Sequence, residues 1–151
     1  MKRICSLMLL LIPLSCDPPE HSYITFNNRS NQTIFVGWGL SYPQDSTRVI
    51  DLMIRSDHYD EIAPYSKRDL WHGTEKIESW VSCFDRSYAG YLSFYIMDNE
   101  VRNMRDIENI LKDYRILARY DLTEDDLATL DWTLSYPPTP EMSHIHMWLK
   151  Q

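Results

Sequence analysis

Glycine is scarce in this chain, with four residues in 151. Neither the dinucleotide fingerprint nor the nucleotide-triphosphate loop occurs, so a glycine-rich cradle for phosphate is excluded. Basic side chains are in deficit, 15 Lys plus Arg against 22 Asp plus Glu, for a formal charge of −7. That balance argues against a nucleic-acid partner, which needs a basic surface to displace counterions from phosphate. Cysteine is limited to Cys5, Cys16 and Cys83. The apolar run at residues 4–14 covers only about 16 Å as a helix, half of a roughly 30 Å hydrocarbon core. What the chain does have is aromatic: five Trp, ten Tyr and four Phe. Its length suits one domain that folds without disulfides.

Lys2 and Arg3 precede the apolar run, and Cys16-Asp-Pro-Pro-Glu20 ends it abruptly. Charge, short apolar stretch and break together read as a secretory signal over residues 1–15. A buried N-terminal helix is the alternative, and Pro18 and Pro19 count against it.

The junction Ser15-Cys16 resembles the lipobox of bacterial lipoproteins, with Pro13 and Leu14 in its upstream positions. The resemblance implies that the Cys16 thiol takes a diacylglycerol, that the signal is cut before it, and that the new amine is acylated, typically with palmitate. The implied location is the bacterial envelope, with the outer membrane expected and its periplasmic or surface face open. Cleavage by an ordinary signal peptidase is the alternative. Each buried methylene contributes about 0.8 kcal/mol, so two or three acyl chains would hold the protein almost permanently. Residues 16–21, with Pro18 and Pro19, would form a stiff spacer. Processing would discard Cys5 and the two basic residues, taking the formal charge from −7 to −9. Cys83 alone would stay a thiol, so no intrachain disulfide is expected. Set among Trp80, Val81 and Phe84, it reads as a small buried apolar residue.

Residues 22–151 show no composition break and read as a single globular domain. Residues 23–26 and 33–38 are rich in β-formers and flank the polar segment 27–32, which predicts a hairpin. Residues 49–54 and 60–65 are weaker strand candidates, the second an edge because of Pro64. Residues 91–97 are apolar enough for the centre of a sheet. Ile107, Ile110, Leu111 and Tyr114 recur at helical spacing, predicting a helix near 106–114. Alternation over 115–122 predicts a strand. Thr123-Glu-Asp-Asp126 is a helix-start signal for a second short helix near 124–130. Residues 132–136 predict a last strand, stopped by Pro137 and Pro138. The expected fold is mainly β: an antiparallel β-sandwich, or a sheet with two short helices.

Trp38-Gly-Leu-Ser-Tyr-Pro43 and Trp132-Thr-Leu-Ser-Tyr-Pro137 share one pattern. Its Trp, Leu and Tyr face one way on a strand, either as core or as paired aromatic edges. The segment Gly39-Leu-Ser-Tyr-Pro-Gln-Asp-Ser46, and especially Tyr114-Arg-Ile-Leu-Ala-Arg-Tyr-Asp-Leu-Thr-Glu-Asp-Asp-Leu-Ala-Thr-Leu-Asp-Trp-Thr-Leu-Ser-Tyr-Pro137, resemble small uncharacterised lipoproteins of Bacteroidales. This likeness implies lineage and export and carries over no catalytic residue.

Several clusters could carry chemistry. His144-Ile-His146 would offer half a zinc or copper site, but His21, His58 and His72 are not spaced to complete it, so exposed histidines are the simpler reading. Asp57, His58, Asp60 and Glu61 could serve acid–base chemistry or calcium, yet lack the spacing of a calcium loop and read as a solvated edge. Glu124, Asp125 and Asp126 suit a helix N-terminus. Asp45-Ser46-Thr47 resembles the short O-glycosylation acceptor of exported Bacteroidota proteins, with Ser46 as acceptor. Asn28-Arg-Ser30 and Asn31-Gln-Thr33 would matter only in a host that N-glycosylates. No Gly-x-Ser-x-Gly elbow or Cys–His pair marks a nucleophile, and no motif calls for a metal or cofactor. The expected function is a lipid-anchored, non-catalytic binding or accessory module with a protein or glycan partner. A glycan-contacting module of a surface uptake system and a small hydrolase are the alternatives.

Overall fold

The computed structural model describes residues 23–40, 59–71, 80–87, 90–103 and 116–150. These form eight strands in two sheets. In chain order they are β1 (Tyr23–Asn28), β2 (Ile34–Gly39), β3 (Asp60–Ile62), β4 (Ser66–Trp71), β5 (Leu92–Asp98), β6 (Ile116–Leu122), β7 (Thr133–Tyr136) and β8 (His146–Leu149). Two helices, α1 (Trp80–Arg86) and α2 (Glu124–Thr129), and two 3-10 turns complete the described part. One sheet has the order β4-β1-β7, the other β3-β2-β5-β6-β8. The fold is mainly β, as expected, with two short helices: α2 is the one expected near 124–130, and α1 was not among those expected. Its pairs are antiparallel except β1–β7, which is parallel.

Alternation along the strands builds the core between the sheets. Ile24, Phe26, Leu70 and Leu134 of the smaller sheet meet Ile34, Val36, Ile62, Leu92, Phe94, Ile96, Ala118, Tyr120 and Leu122 of the larger in one apolar cluster. The Tyr120 hydroxyl crosses the gap and donates to the Ser135 carbonyl at 2.9 Å, tying β6 to β7. Strand β5 is buried on both faces: its odd residues Ser93, Tyr95 and Met97 are as inaccessible as its even ones. That agrees with its central position.

The expected hairpin between the first two strands does not form. β1 pairs with β4 and β7, whereas β2 pairs with β3 and β5 in the other sheet. Asn28 explains the change of sheet. It is fully buried, and its Nδ2 reaches the carbonyls of Gln32, Ile62 and Ala63 at 2.8, 3.1 and 2.9 Å. Its Oδ1 accepts from Ser30 N and Ser30 Oγ at 3.0 and 2.7 Å. The polar segment is therefore a corner stitched to the β3–β4 turn. Turn chemistry alone cannot tell a corner from a hairpin.

β3 is an edge strand, as Pro64 suggested, with Pro64 itself in the turn that follows. α2 begins as the sequence indicates. Thr123 Oγ1 accepts from Asp126 N, and the Asp126 carboxylate accepts from Thr123 N at 2.8 Å, a capping box. The helix ends through left-handed Asp131 and Trp132 (φ 49 and 54), the latter donating its N–H to the Leu127 carbonyl at 2.8 Å. β7 is not the last strand: Pro140–His144 form a 3-10 turn and the chain returns as β8 at the sheet edge. α1 sets Trp80, Cys83 and Phe84 into the core at i, i+3 and i+4. Cys83 is thus the buried apolar residue expected. The expected helix near 106–114 and strand at 49–54 lie outside the described residues.

Candidate functional site

The outward face of the five-stranded sheet carries a polar cluster that the register dictates. Residues directly opposite in antiparallel strands share a face. Ser93 pairs with Asp121, and Asp121 with His146, giving one row across β5, β6 and β8. Tyr95, Arg119 and Trp148 form the adjacent row.

Asp121 is the hub. Only 3% of its side chain is exposed, so its charge needs partners. Oδ1 accepts from Ser93 Oγ at 2.6 Å and from Arg119 Nε at 2.7 Å. Oδ2 lies 3.1 Å from His146 Nδ1. Arg119 Nη2 is 3.5 Å from Ser93 Oγ, and the guanidinium carbon lies 5.6 Å from the centroid of the Tyr95 ring. The carboxylate, the hydroxyl and the ring thus fix the guanidinium plane from three sides. Because Asp121 takes Nδ1 of His146, the imidazole's Nε2 is turned away from the carboxylate. The His146 side chain is 66% exposed, and its strand neighbour Trp148 is 46% exposed.

These distances decide what the cluster can do. Ser93 is fully buried and donates straight to Asp121, while His146 meets the carboxylate's other oxygen. A serine nucleophile would instead be bonded to the imidazole, with the aspartate behind it. The geometry lays the arginine over β5 and holds the histidine at the β8 edge; it does not activate the serine.

His144 and His146 do not share a ligand. His144 Nε2 lies 3.6 Å from Asp126, and His146 meets Asp121. No group of three or more metal-ligating side chains occurs among the described residues. Both imidazoles are exposed, as the simpler reading held, but each has a carboxylate partner. Asp60 pairs with Arg68 at 2.8 Å on an accessible edge; its sequence neighbours Asp57 and His58 lie outside the described residues. The repeated Trp-x-Leu-Ser-Tyr-Pro pattern serves the core: Trp132 and Leu134 belong to it, and Trp38, Leu40 and Tyr136 pack against it. Cys16 and Ser46 lie outside the described residues.

Alternation at 115–122 puts Arg119 and Asp121 on one face, but nothing local in the sequence names Ser93 or His146 as their partners. Across the described residues, no helix is long and apolar enough to cross a membrane. Searches against protein-family models, curated proteins and solved structures give no match for this chain.

Proposed function

We propose that this is an exported protein, held to a bacterial envelope membrane by lipid on Cys16, whose β-sheet portion works as a binding or accessory module. The observation that carries the reading is the order at the N-terminus: Lys2-Arg3, a short apolar run, then Ser15-Cys16 and a proline spacer. A run too short to span the bilayer, followed at once by a cysteine, suits a processed and acylated end better than a transmembrane anchor. The Ser93–Asp121–His146 arrangement favours binding over hydrolysis, since its serine is buried and bonded to the wrong partner for attack.

Metabolic labelling with palmitate tests the anchor. Wild-type protein should take the label and fractionate with membranes, and Cys16→Ala should lose both properties. Unchanged labelling of Cys16→Ala would defeat the reading. Protease digestion of intact cells then separates a surface-facing from a periplasm-facing domain.

A further inference from the structure

We propose that β8 is the interface of a symmetric dimer, in which it pairs antiparallel with β8 of a second copy across the edge of the five-stranded sheet. The proposal goes beyond the binding-module reading and does not depend on the lipid anchor.

The first observation is which edge lacks protection. Proteins guard exposed strand edges with charge or proline, because unpaired backbone groups invite another chain. Among the described strands, three of the four edges carry such devices. β3 has Asp60 and Glu61, β4 exposes Lys67, Arg68 and Asp69, and β7 stops at Pro137 and Pro138. β8 is His-Met-Trp-Leu, with neither proline nor carboxylate, and its Trp148 and Leu149 are 46% and 40% exposed.

The second is the direction of its backbone groups. The Lys150 N–H donates to the Leu117 carbonyl at 2.9 Å, in register with the β6–β8 pairs. That direction alternates along a strand. His146 and Trp148 therefore turn their N–H and C=O toward β6, as Lys150 does, while Met147 and Leu149 turn theirs away from it. Setting Met147 against Leu149 of the second copy, and Leu149 against Met147, pairs all four of these outward groups on each strand. Trp148 then lies on the two-fold axis, opposite its own counterpart, in a non-hydrogen-bonded pair where cross-strand side chains come closest. A register centred on Met147 sets Leu149 against Ile145, whose N–H already goes to the Met142 carbonyl. One centred on Leu149 runs past the end of the strand.

The third is that the same register matches the side chains. Trp148 stands on the outward face of the sheet, in the row of Tyr95 and Arg119, so two half-exposed indoles pack on each other. On the opposite face Leu149 covers Met147 of the second copy, which already packs against its own core, and the apolar layer continues from one copy into the next. At the two ends His146 meets Lys150 of the second copy, so the contact is apolar in its middle and basic at its ends. Four residues from each copy bury little area, which places the dimer among small, weak interfaces. The pairing is isologous and uses up the one unprotected edge of each copy, so it closes at two chains.

Cysteine cross-linking of the full-length protein in membranes reads the register. Opposed residues of a non-hydrogen-bonded pair lie about 4.5 Å apart at Cα, within reach of a disulfide. Mild oxidation should link Trp148→Cys to itself, whereas Met147→Cys, which faces Leu149, should stay unlinked. The native Cys83 is buried and sets the background. Sedimentation equilibrium in excess detergent should show the wild-type mass rising from one chain to two between roughly 1 μM and roughly 1 mM. Trp148→Lys should weaken the dimer about tenfold or more with circular dichroism unchanged. Leu149→Pro, which deletes an outward N–H at an edge where proline is tolerated, should do the same. Added salt should leave the dimer intact, since charge does not hold it. A wild-type monomer at roughly 1 mM, a Trp148→Lys dimer as tight as wild type, or equal cross-linking of Met147→Cys and Trp148→Cys would each overturn the proposal. So would assembly beyond two chains, or a Trp148→Cys disulfide to a different protein with none to itself. Palmitate labelling reports the anchor separately.

Discussion

Replacing Asn28 by aspartate changes one atom group in a buried corner and gives the sharpest test of how the chain passes between its sheets. The Asn28 amide is fully buried, and its Nδ2 lies within 3.1 Å of three backbone carbonyls, two of them from the end of β3 and the residue after it. The carboxylate of an Asn28→Asp variant would keep the acceptor that Ser30 uses but would set a second oxygen against those carbonyls. Each buried polar group left without its partner costs about 1–3 kcal/mol. Loss of the donor at Ile62 and at one partly buried neighbour therefore amounts to about 2–6 kcal/mol. A carboxylate that stays ionised there adds repulsion and desolvation to that cost. For a domain with about 5–15 kcal/mol in hand, the variant loses a large part of its stability. Asn28→Ala, which removes the donor without adding charge, should be destabilised less than Asn28→Asp. Urea unfolding followed by tryptophan fluorescence measures all three proteins, with the midpoint reporting the change if the slope is constant. An Asn28→Asp midpoint equal to wild type, or higher than that of Asn28→Ala, would refute the idea that the amide donor holds this corner.

Removing the hub carboxylate by Asp121→Ala strands Arg119 and the buried Ser93 hydroxyl, and should cost about 3–5 kcal/mol in the same unfolding assay. Thr123→Ala removes half of the α2 capping box and should cost about 1 kcal/mol, readable as a small drop in Tm. Burial raises the Tyr120 phenol above its ordinary value, with Tyr136 adding to the shift, and burial also raises Tyr136. Because the folded state favours the protonated phenols, their stabilisation is complete below about pH 10 and is lost as pH rises beyond it, by about 1.4 kcal/mol per pH unit for each proton released. Unfolding curves across roughly pH 8–12 should show that decline, and Tyr120→Phe should flatten it while costing about 1 kcal/mol at neutral pH.

What the sequence revealed followed from local signals with a single physical outcome. The 91–97 run is apolar on both alternations and could only be central; β5 is buried on both faces. The Thr123-Glu-Asp-Asp126 signature specifies its own hydrogen bonds, and α2 makes them. β4 was illegible because Ser-Lys-Arg-Asp is polar. It is a strand through its pairing with β1, where Thr25 Oγ1 donates to Asp69 at 2.8 Å, and not through propensity. β8 is four residues long and was hidden for the same reason, since its place is fixed by a distant partner strand, β6. α1 is a single short amphipathic segment whose Trp80 Nε1–H donates to the Leu70 carbonyl at 3.2 Å. The site combines these failures. Alternation showed Arg119 beside Asp121, but the two residues that complete the cluster come from strands whose register no local pattern sets.

The parallel pairing of β1 with β7 also has a temporal consequence. β1 is the middle strand of its sheet, and its parallel partner begins only at Thr133. A chain emerging N-terminus first, from a ribosome or across a membrane, exposes residues 23–28 long before that partner exists. Until then one edge of β1 stays open, and the smaller sheet cannot close over the core. Contacts of such long sequence separation make folding slow and late. The protein is thus built to remain unfinished until its last third has been delivered.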